Sequence, residues 1–257
     1  MNRYDRKELI IVAVLTVMIA IVELSGIPSI LFIHVDFYDI DPIYFALMVN
    51  FILIGLLSYL VLTLFCKTWH LGLGKNNIIA GLKKHGLVGF IAGLISLFAF
   101  YIGLRPFDQT PSLLKVLIQG VLYYIGVGII EELYIRGFLL NLLERLLHKN
   151  KNAILIAVLL SSFIFGVGHI FSSLNQSALK IICNVIWTIG MGIYFGMVYK
   201  KTNNLWVPII MHSFTNLCAL PYCFSNMSGY ADISLYAIFP TYLLLGVYSL
   251  YVLKRNN

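Results

Sequence analysis

Charge is scarce in this chain. Asp, Glu, Lys and Arg make up only 11% of its 257 residues, against about 25% in a typical soluble domain. Hydrophobic residues make up 60% and the mean hydropathy is +0.89, which excludes a soluble globular protein. Blocks of five or more basic residues are also missing. The net charge of +7 therefore does not describe a nucleic-acid-binding surface. Cysteine is sparse and unpaired: Cys66, Cys183, Cys218 and Cys223 form no C-x-x-C motif. They read as buried free thiols, since C-x4-C at a helix end is a poor frame for a Cys218–Cys223 bridge. There is no internal repeat, low-complexity tract or linker, so residues 1–257 are read as a single membrane domain.

What the chain has instead is long apolar runs, at 8–33, 43–66, 86–104, 113–144, 153–171, 179–199, 205–220 and 235–253. Most are near the ~20 residues that cross a bilayer as a helix, the seventh being short and the fourth overlong. The expected fold class is an all-α, polytopic transmembrane bundle of about eight helices. The basic flank Arg3, Arg6 and Lys7 before the first run resembles that of a signal peptide. Glu23 and the lack of an A-x-A-like site near Ser25 favour an uncleaved anchor. With eight spans, only Arg105, Lys115 and Lys180 fall on the side away from the termini. Arg136 is intramembrane, and every other Lys and Arg lies on the side of the termini. The positive-inside rule then puts both termini in the cytoplasm. The expected location is integral to a membrane, multi-pass, and a bacterial plasma membrane fits.

The polar groups inside these runs are the candidates for function. Residues 131–136 read E-E-L-Y-I-R in a stretch with no other charge from Val116 to Leu140. Each such group costs about 2.5–3.5 kcal/mol at bilayer depth. A chain keeps them where they face a protein interior or a wet cavity and perform a task. Glu132 and Arg136 are four residues apart and can pair on one helix face. Glu131 points about 100° away. A packing ion pair explains Glu132 and Arg136 and leaves Glu131 unexplained, so Glu131 is the candidate general base.

His169 ends F-I-F-G-V-G-H, one turn after Phe165. Gly166 and Gly168 are expected to let this helix pack closely on the helix bearing Gly126, Gly128 and Gly137. His212 and Asn216 form H-S-F-T-N on one face of a later helix, and Pro208 is expected to kink that helix near a cavity. An interfacial His169 and an interhelical hydrogen bond from Asn216 are the ordinary alternatives. Glu23 is expected at the outer interface, His70 and His85 in a solvated cytoplasmic loop, and His34 with Asp36–Asp41 in an exposed outer loop.

Taken together, E-E-x-x-x-R, F-x-x-x-H and H-x-x-x-N on helices four, five and seven resemble the CPBP family. This family, also called Abi or CAAX-protease, consists of intramembrane endopeptidases. The resemblance covers about 113–220, which would be the catalytic core. It implies hydrolysis of a peptide bond in a membrane-associated protein or peptide. Glu131 with His169 would activate a water, His212 and Asn216 would stabilise the oxyanion, and Glu132 and Arg136 would brace the site. Bacteriocin maturation, self-immunity and CAAX-type processing are the roles the family suggests. Two histidines and one glutamate (Glu131, His169, His212) also form a known catalytic zinc pattern, although no H-E-x-x-H is present. Zinc stays open as a cofactor beside a metal-free glutamate mechanism, the reading adopted.

Two other functions compete. One is a non-catalytic bacteriocin-immunity or partner-binding membrane protein, which would have no need of Glu131. The other is a proton-coupled transporter, whose broken helices would recur in two halves. Here the polar motifs cluster in helices four to seven only. The expected partners are a membrane-associated substrate and the lipid bilayer, with no nucleic acid. Depth poses a problem for a single site. At about 1.5 Å per residue, Glu131 lies ~21 Å from Arg145, His169 ~27 Å from Lys151 and His212 ~16 Å from Lys201. Convergence of the four residues on one water, in a cavity opening to the cytoplasm, requires that helix five start deeper or that the Pro208 segment unwind.

Overall fold

The structure, a computed structural model, describes residues 3–24, 42–103, 113–174, 176–220 and 232–255. These residues are all helix, turn and short connection, with no strand among them. Backbone N–H and C=O groups in lipid have no water to bind, so long apolar runs satisfy them internally as helices. Eight helical rods result. They are α1 (Arg3–Leu24), α2 (Pro42–Phe65), α3 (Ile78–Ile102), α4 (113–146), α5 (Ala153–Gly168), α6 (Ala178–Thr202), α7 (Trp206–Leu217) and α8 (Asp232–Arg255). Among the described residues, three stretches are long and apolar enough on their own to cross a membrane: α3, α6 and Ser234–Arg255 within α8. Leu56, Leu57, Phe65, Phe98, Tyr101 and Leu244 are among the large apolar side chains that face outward. A surface of that kind is stable against lipid, not water.

Glu8 of α1, Thr68 after α2, Arg145 of α4 and Lys200 of α6 gather at one end of the bundle. Arg145 Nη1 donates to Thr68 Oγ1 at 3.0 Å and lies 3.8 Å from Glu8, while Lys200 pairs with Glu144. The start of α1 and the ends of α2, α4 and α6 share an end in an up-and-down bundle of this helix count. A cavity of about 640 Å³ opens there, lined by Trp69, Asn141, Arg145, Lys151 and Lys200 among others. No candidate site residue lines it.

The helix bearing the glutamates is not uniform. Leu113–Glu132 and Asn141–Leu146 are α-helical, and Leu133–Leu140 between them is a π-helix. A π segment widens the turn and lowers the rise per residue, and such segments recur at functional sites. The Gly137 carbonyl within it accepts from the Trp69 indole at 3.0 Å and the Asn141 amide at 2.9 Å. α1 packs against this π segment, and α7 against the α-helical part before it.

α6 lies at the centre, in contact with α4, α5, α7 and α8. Its glycines let the neighbours approach. A Cβ on Gly190 would strike the Tyr242 carbonyl of α8, and one on Gly192 would meet Ser162 of α5 at 2.9 Å. Gly166 of α5 likewise faces Val185 and Ile189 of α6, while a Cβ on Gly168 would meet open space. The expected use of these two glycines against α4 is thus corrected: the small residues of α5 serve its contact with α6.

The α6–α7 turn is strapped to the 66–77 segment. Asn204 Nδ2 donates to the Gly74 and Asn76 carbonyls, each at 2.7 Å, and the Leu205 N–H donates to Gly72 O at 3.1 Å. Gly72 has φ +69° and a Cβ there would run into the Asn203 carbonyl, so the strap depends on glycine at this point. This anchor fixes where α7 starts, and hence the depth of His212. Pro208 sits in the first turn of α7, where its missing N–H breaks no helical bond. The expected kink at Pro208 is therefore absent. His85, expected in a solvated loop, is buried in the π turn Leu82–Gly86 of α3, with its carbonyl accepting from the Tyr194 hydroxyl at 2.6 Å. The helix extends backward from Leu87 to Ile78 and takes it in. Cys66, Cys183 and Cys218 are free thiols. Cys223, His34 and Asp36–Asp41 lie outside the described residues.

Candidate active site

Glu131, Glu132 and Arg136 all lie in the interior of the bundle. Arg136 and Glu132 are both 0% exposed, so their charges are stable only with partners. Arg136 Nη1 donates to Glu132 Oε1 at 2.8 Å and Nη2 donates to the Gly192 carbonyl of α6 at 3.2 Å. Its guanidinium carbon lies 4.7 Å from the Phe165 ring centroid and 5.4 Å from that of Phe195. Two hydrogen bonds and two aromatic faces thus replace the lost water, a geometry that suits the planar guanidinium better than a lysine ammonium.

His212 of α7 stands between the two carboxylates. Nδ1 is 2.7 Å from Glu132 Oε1, and Nε2 is 3.3 Å from Glu131 Oε2. Nδ1 must donate, because a carboxylate only accepts. Nε2 is then the atom turned toward Glu131. The ring stacks on Phe195 at 5.0 Å and 21°, and Phe165 meets it edge-on at 5.9 Å. Oε2 of Glu131 and Oε2 of Glu132 are buried with no hydrogen-bond donor among the described protein groups.

His169 follows the last residue of α5. Its Nδ1 is 2.9 Å from the Phe165 carbonyl, so it donates there and a neutral ring keeps its lone pair on Nε2. Phe165 packs edge-on against both histidines, at 4.7 Å from His169 and 5.9 Å from His212. One aromatic ring thereby gathers Arg136, His169 and His212. Asn216 is half-buried one turn beyond His212 on α7.

The structure joins Glu131, Glu132, Arg136 and His212 by direct polar contact and sets His169 beside them through Phe165. The π segment shortens α4 between Glu132 and its charged end, which reduces the depth mismatch between His212 and the glutamates.

Three contributors were not singled out by sequence. Phe195 and the Gly192 carbonyl come from α6, and the only hint was the small-residue run G-M-G-I-Y-F-G. Glu23 is the third. Its carboxyl interacts electrostatically with Glu131 and Tyr134, and its Oε2 is buried with no hydrogen-bond partner among the described protein groups. The expected position at the outer interface is corrected: α1 lies along the π segment of α4 and carries Glu23 inward. Among the described residues, no group of three His, Cys, Asp or Glu side chains is arranged to hold a metal ion. Glu131, His169 and His212 are not such a group.

Residues 113–218 match the family of type II CAAX prenyl endopeptidases described as Rce1-like. The match runs from the first residue of α4 to the residue after α7, so it takes in all seven residues of the three motifs and leaves out Glu23. The segment is thus similar to the Rce1-like family over less than half of the chain. A Bacillus subtilis (strain 168) protein named "Putative membrane peptidase YdiL" is 33% identical over 131 residues. The aligned stretch is 49% of this chain and 47% of that protein, so the chain spans about half the length of the curated relative it matches.

Proposed function

We propose that this chain is an intramembrane endopeptidase that hydrolyses a peptide bond in a membrane-associated protein or peptide. The observation that carries the reading is His212 held between Glu131 and Glu132 in a buried cluster, inside a segment that matches the Rce1-like family. Amide hydrolysis needs an activated water, a base in reach of it, and donors aimed at the developing oxyanion. A water donating to the open Oε2 of Glu131 would lie beside His212 Nε2. Glu131 with the Nε2 lone pair of His169 takes its proton as its oxygen attacks the scissile carbonyl carbon. His212 and the Asn216 amide stabilise the oxyanion. Collapse of the tetrahedral intermediate breaks the C–N bond, and the proton held by Glu131 or His169 passes to the leaving amine. Glu132 and Arg136 hold His212 in place.

The low dielectric around the cluster strengthens each of these electrostatic interactions. On this reading the base is glutamate and the water needs no metal. The matched family's description suggests CAAX-type prenylated peptides as substrates, and the CPBP resemblance adds bacteriocin maturation or self-immunity in a bacterial plasma membrane.

The test is proteolysis by detergent-purified protein of a peptide library that includes a farnesylated CAAX peptide and its unprenylated counterpart. Cleavage by wild type and none by Glu131→Ala is expected. A folded wild type that cleaves no member of the library would overturn the reading, and a folded Glu131→Gln variant that still protects cells from a bacteriocin would favour the non-catalytic immunity alternative.

A further inference from the structure

His169 stands one residue past the end of α5. The last carbonyls of a helix have no acceptor role within it, so they need partners from elsewhere. Here the chain tightens instead of continuing. The His169 N–H donates to Gly166 O at 3.1 Å, Ile170 N–H to Val167 O at 3.1 Å and Ser173 N–H to Ile170 O at 3.0 Å. Phe171–Ser173 forms a single 3-10 turn. That turn brings the Ser173 hydroxyl back onto the His169 carbonyl, to which it donates at 3.1 Å.

The same hydroxyl oxygen accepts from Nδ2 of Asn184 at 2.5 Å. A hydroxyl has one proton and two lone pairs, so both bonds are made at once and the relay runs one way, from Asn184 through Ser173 to the His169 carbonyl. Ser173 and Asn184 are both buried. Asn184 belongs to the second turn of α6, and the close approach of α5 and α6 sets it there. A Cβ on Gly166 would lie 2.8 Å from the carbonyl of Val185, the residue after Asn184. By contrast nothing packs on the Cα of Gly168, immediately before His169. At that glycine close packing does not restrain the backbone, which leaves the restraint to hydrogen bonds.

The His169 ring is held locally. Nδ1 donates to the Phe165 carbonyl one turn back, and the Phe165 ring meets it edge-on. Those contacts fix the ring relative to α5. The relay fixes the backbone of His169 relative to α6, the helix that also supplies Phe195 against His212. A group that shares a water's proton has to stand at one place, and misplacement by about 1 Å costs on the order of 100-fold in rate.

We propose that Asn184 is a positioning residue: through Ser173 it latches the chain at His169 to α6 and so sets the His169 ring beside His212. This rests on the endopeptidase reading above. Asn184 and Ser173 lie outside the three motifs, and their contribution passes through His169.

The experiment uses the full chain in detergent with the library peptide that wild type cleaves best, and rates are taken per mole of folded protein. Asn184→Leu removes the donor at similar volume, and Ser173→Ala removes the relay. Each is expected to lower kcat by about 100-fold with KM unchanged. Because both break one chain of bonds, the double variant is expected to be no slower than the slower single variant. A role in stability alone would lower the folded yield and leave kcat as in wild type. Wild-type kcat in either single variant, or losses that multiply to about 10,000-fold in the double variant, would overturn the proposal.

A second measurement needs no activity. Hydrogen exchange followed by mass spectrometry reports the opening of residues 169–173. Both single variants are expected to exchange there about 5-fold faster than wild type, the effect of losing one hydrogen bond, with α7 unchanged. Exchange at 169–173 equal to wild type would overturn the latch. If no peptide is cleaved while exchange at 169–173 rises, the endopeptidase reading falls and the latch stands.

Discussion

Nδ1 of His212 lies 2.7 Å from Oε1 of Glu132, and the same oxygen accepts from Arg136 at 2.8 Å. One carboxylate oxygen therefore organises a histidine from α7 and an arginine from its own helix. The two glutamates of E-E-x-x-x-R are separated in role by this sharing. Glu131→Gln is expected to fold and to lose about 100- to 10,000-fold in kcat, the range for a general base. Glu132→Gln is expected to lose thermal stability as well, because it leaves buried Arg136 without its counter-charge, a cost of about 3–5 kcal/mol. Thermal midpoints and kcat measured on the same detergent preparations check both. Equal destabilisation by the two variants would contradict the division of roles.

Arg136→Lys tests the aromatic cradle. Lysine keeps the charge and loses both the fork that spans Glu132 and Gly192 and the flat contact with Phe165 and Phe195. The expected result is a fold retained at reduced stability, with kcat lowered because His212 loses a fixed Glu132. A Lys variant indistinguishable from wild type in both would show that the fork and cradle are dispensable.

Phe195→Leu removes the ring stacked on His212. Aromatic pairs contribute about 0.5–1.5 kcal/mol beyond area burial. A modest fall in thermal midpoint and a larger proportional fall in kcat are expected, since the ring sets the plane of the imidazole. Phe195→Tyr is the control that keeps the stack. Kinetics of the pair, with unfolding followed by circular dichroism, decides the matter.

Gly190→Val probes the α6–α8 seam, where a Cβ would strike the Tyr242 carbonyl. Backbone cannot swing aside as a side chain does. Destabilisation of about 1–3 kcal/mol, the usual overpacking range, is expected. Lower yield of folded protein and a reduced midpoint are the measurements. Gly168→Ala, at a position with nothing near its Cβ, should change neither.

Exhaustive chelation is expected to leave peptide cleavage intact, as the adopted glutamate mechanism requires. Activity lost to chelator and restored only by zinc would replace that mechanism with a metal-dependent one.

Much of the helical layout was legible because lipid imposes it. Among the described residues, eight helices answer to the eight apolar runs, with most boundaries shifted by a few residues. The larger shifts came where polar residues sit inside a helix: α3 begins at Ile78 rather than 86 and buries His85, whose side chain composition alone assigns to solvent. Pro208 was misread for a related reason. Its effect depends on whether it falls in the first turn of a helix or in its interior, and the strap between Asn204 and the 66–77 segment settles where α7 starts.

The candidate site divides along the same line. Spacing alone pairs Glu132 with Arg136, since four residues on a helix share a face whatever surrounds them. It also marks Glu131 as the carboxylate without a local partner. Which residues stand across from them depends on helix packing between segments far apart in the chain. Phe195 and the Gly192 carbonyl close on Arg136 because glycines let α6 approach. Glu23 meets Glu131 because α1 lies along the π segment. Periodicity records which face of a helix is apolar but not which helix will cover it. The sequence by itself therefore determined an all-helical membrane bundle with an ion pair and an unpaired glutamate inside it, and only the tertiary structure decided that His212, Phe165 and Glu23 would surround that glutamate.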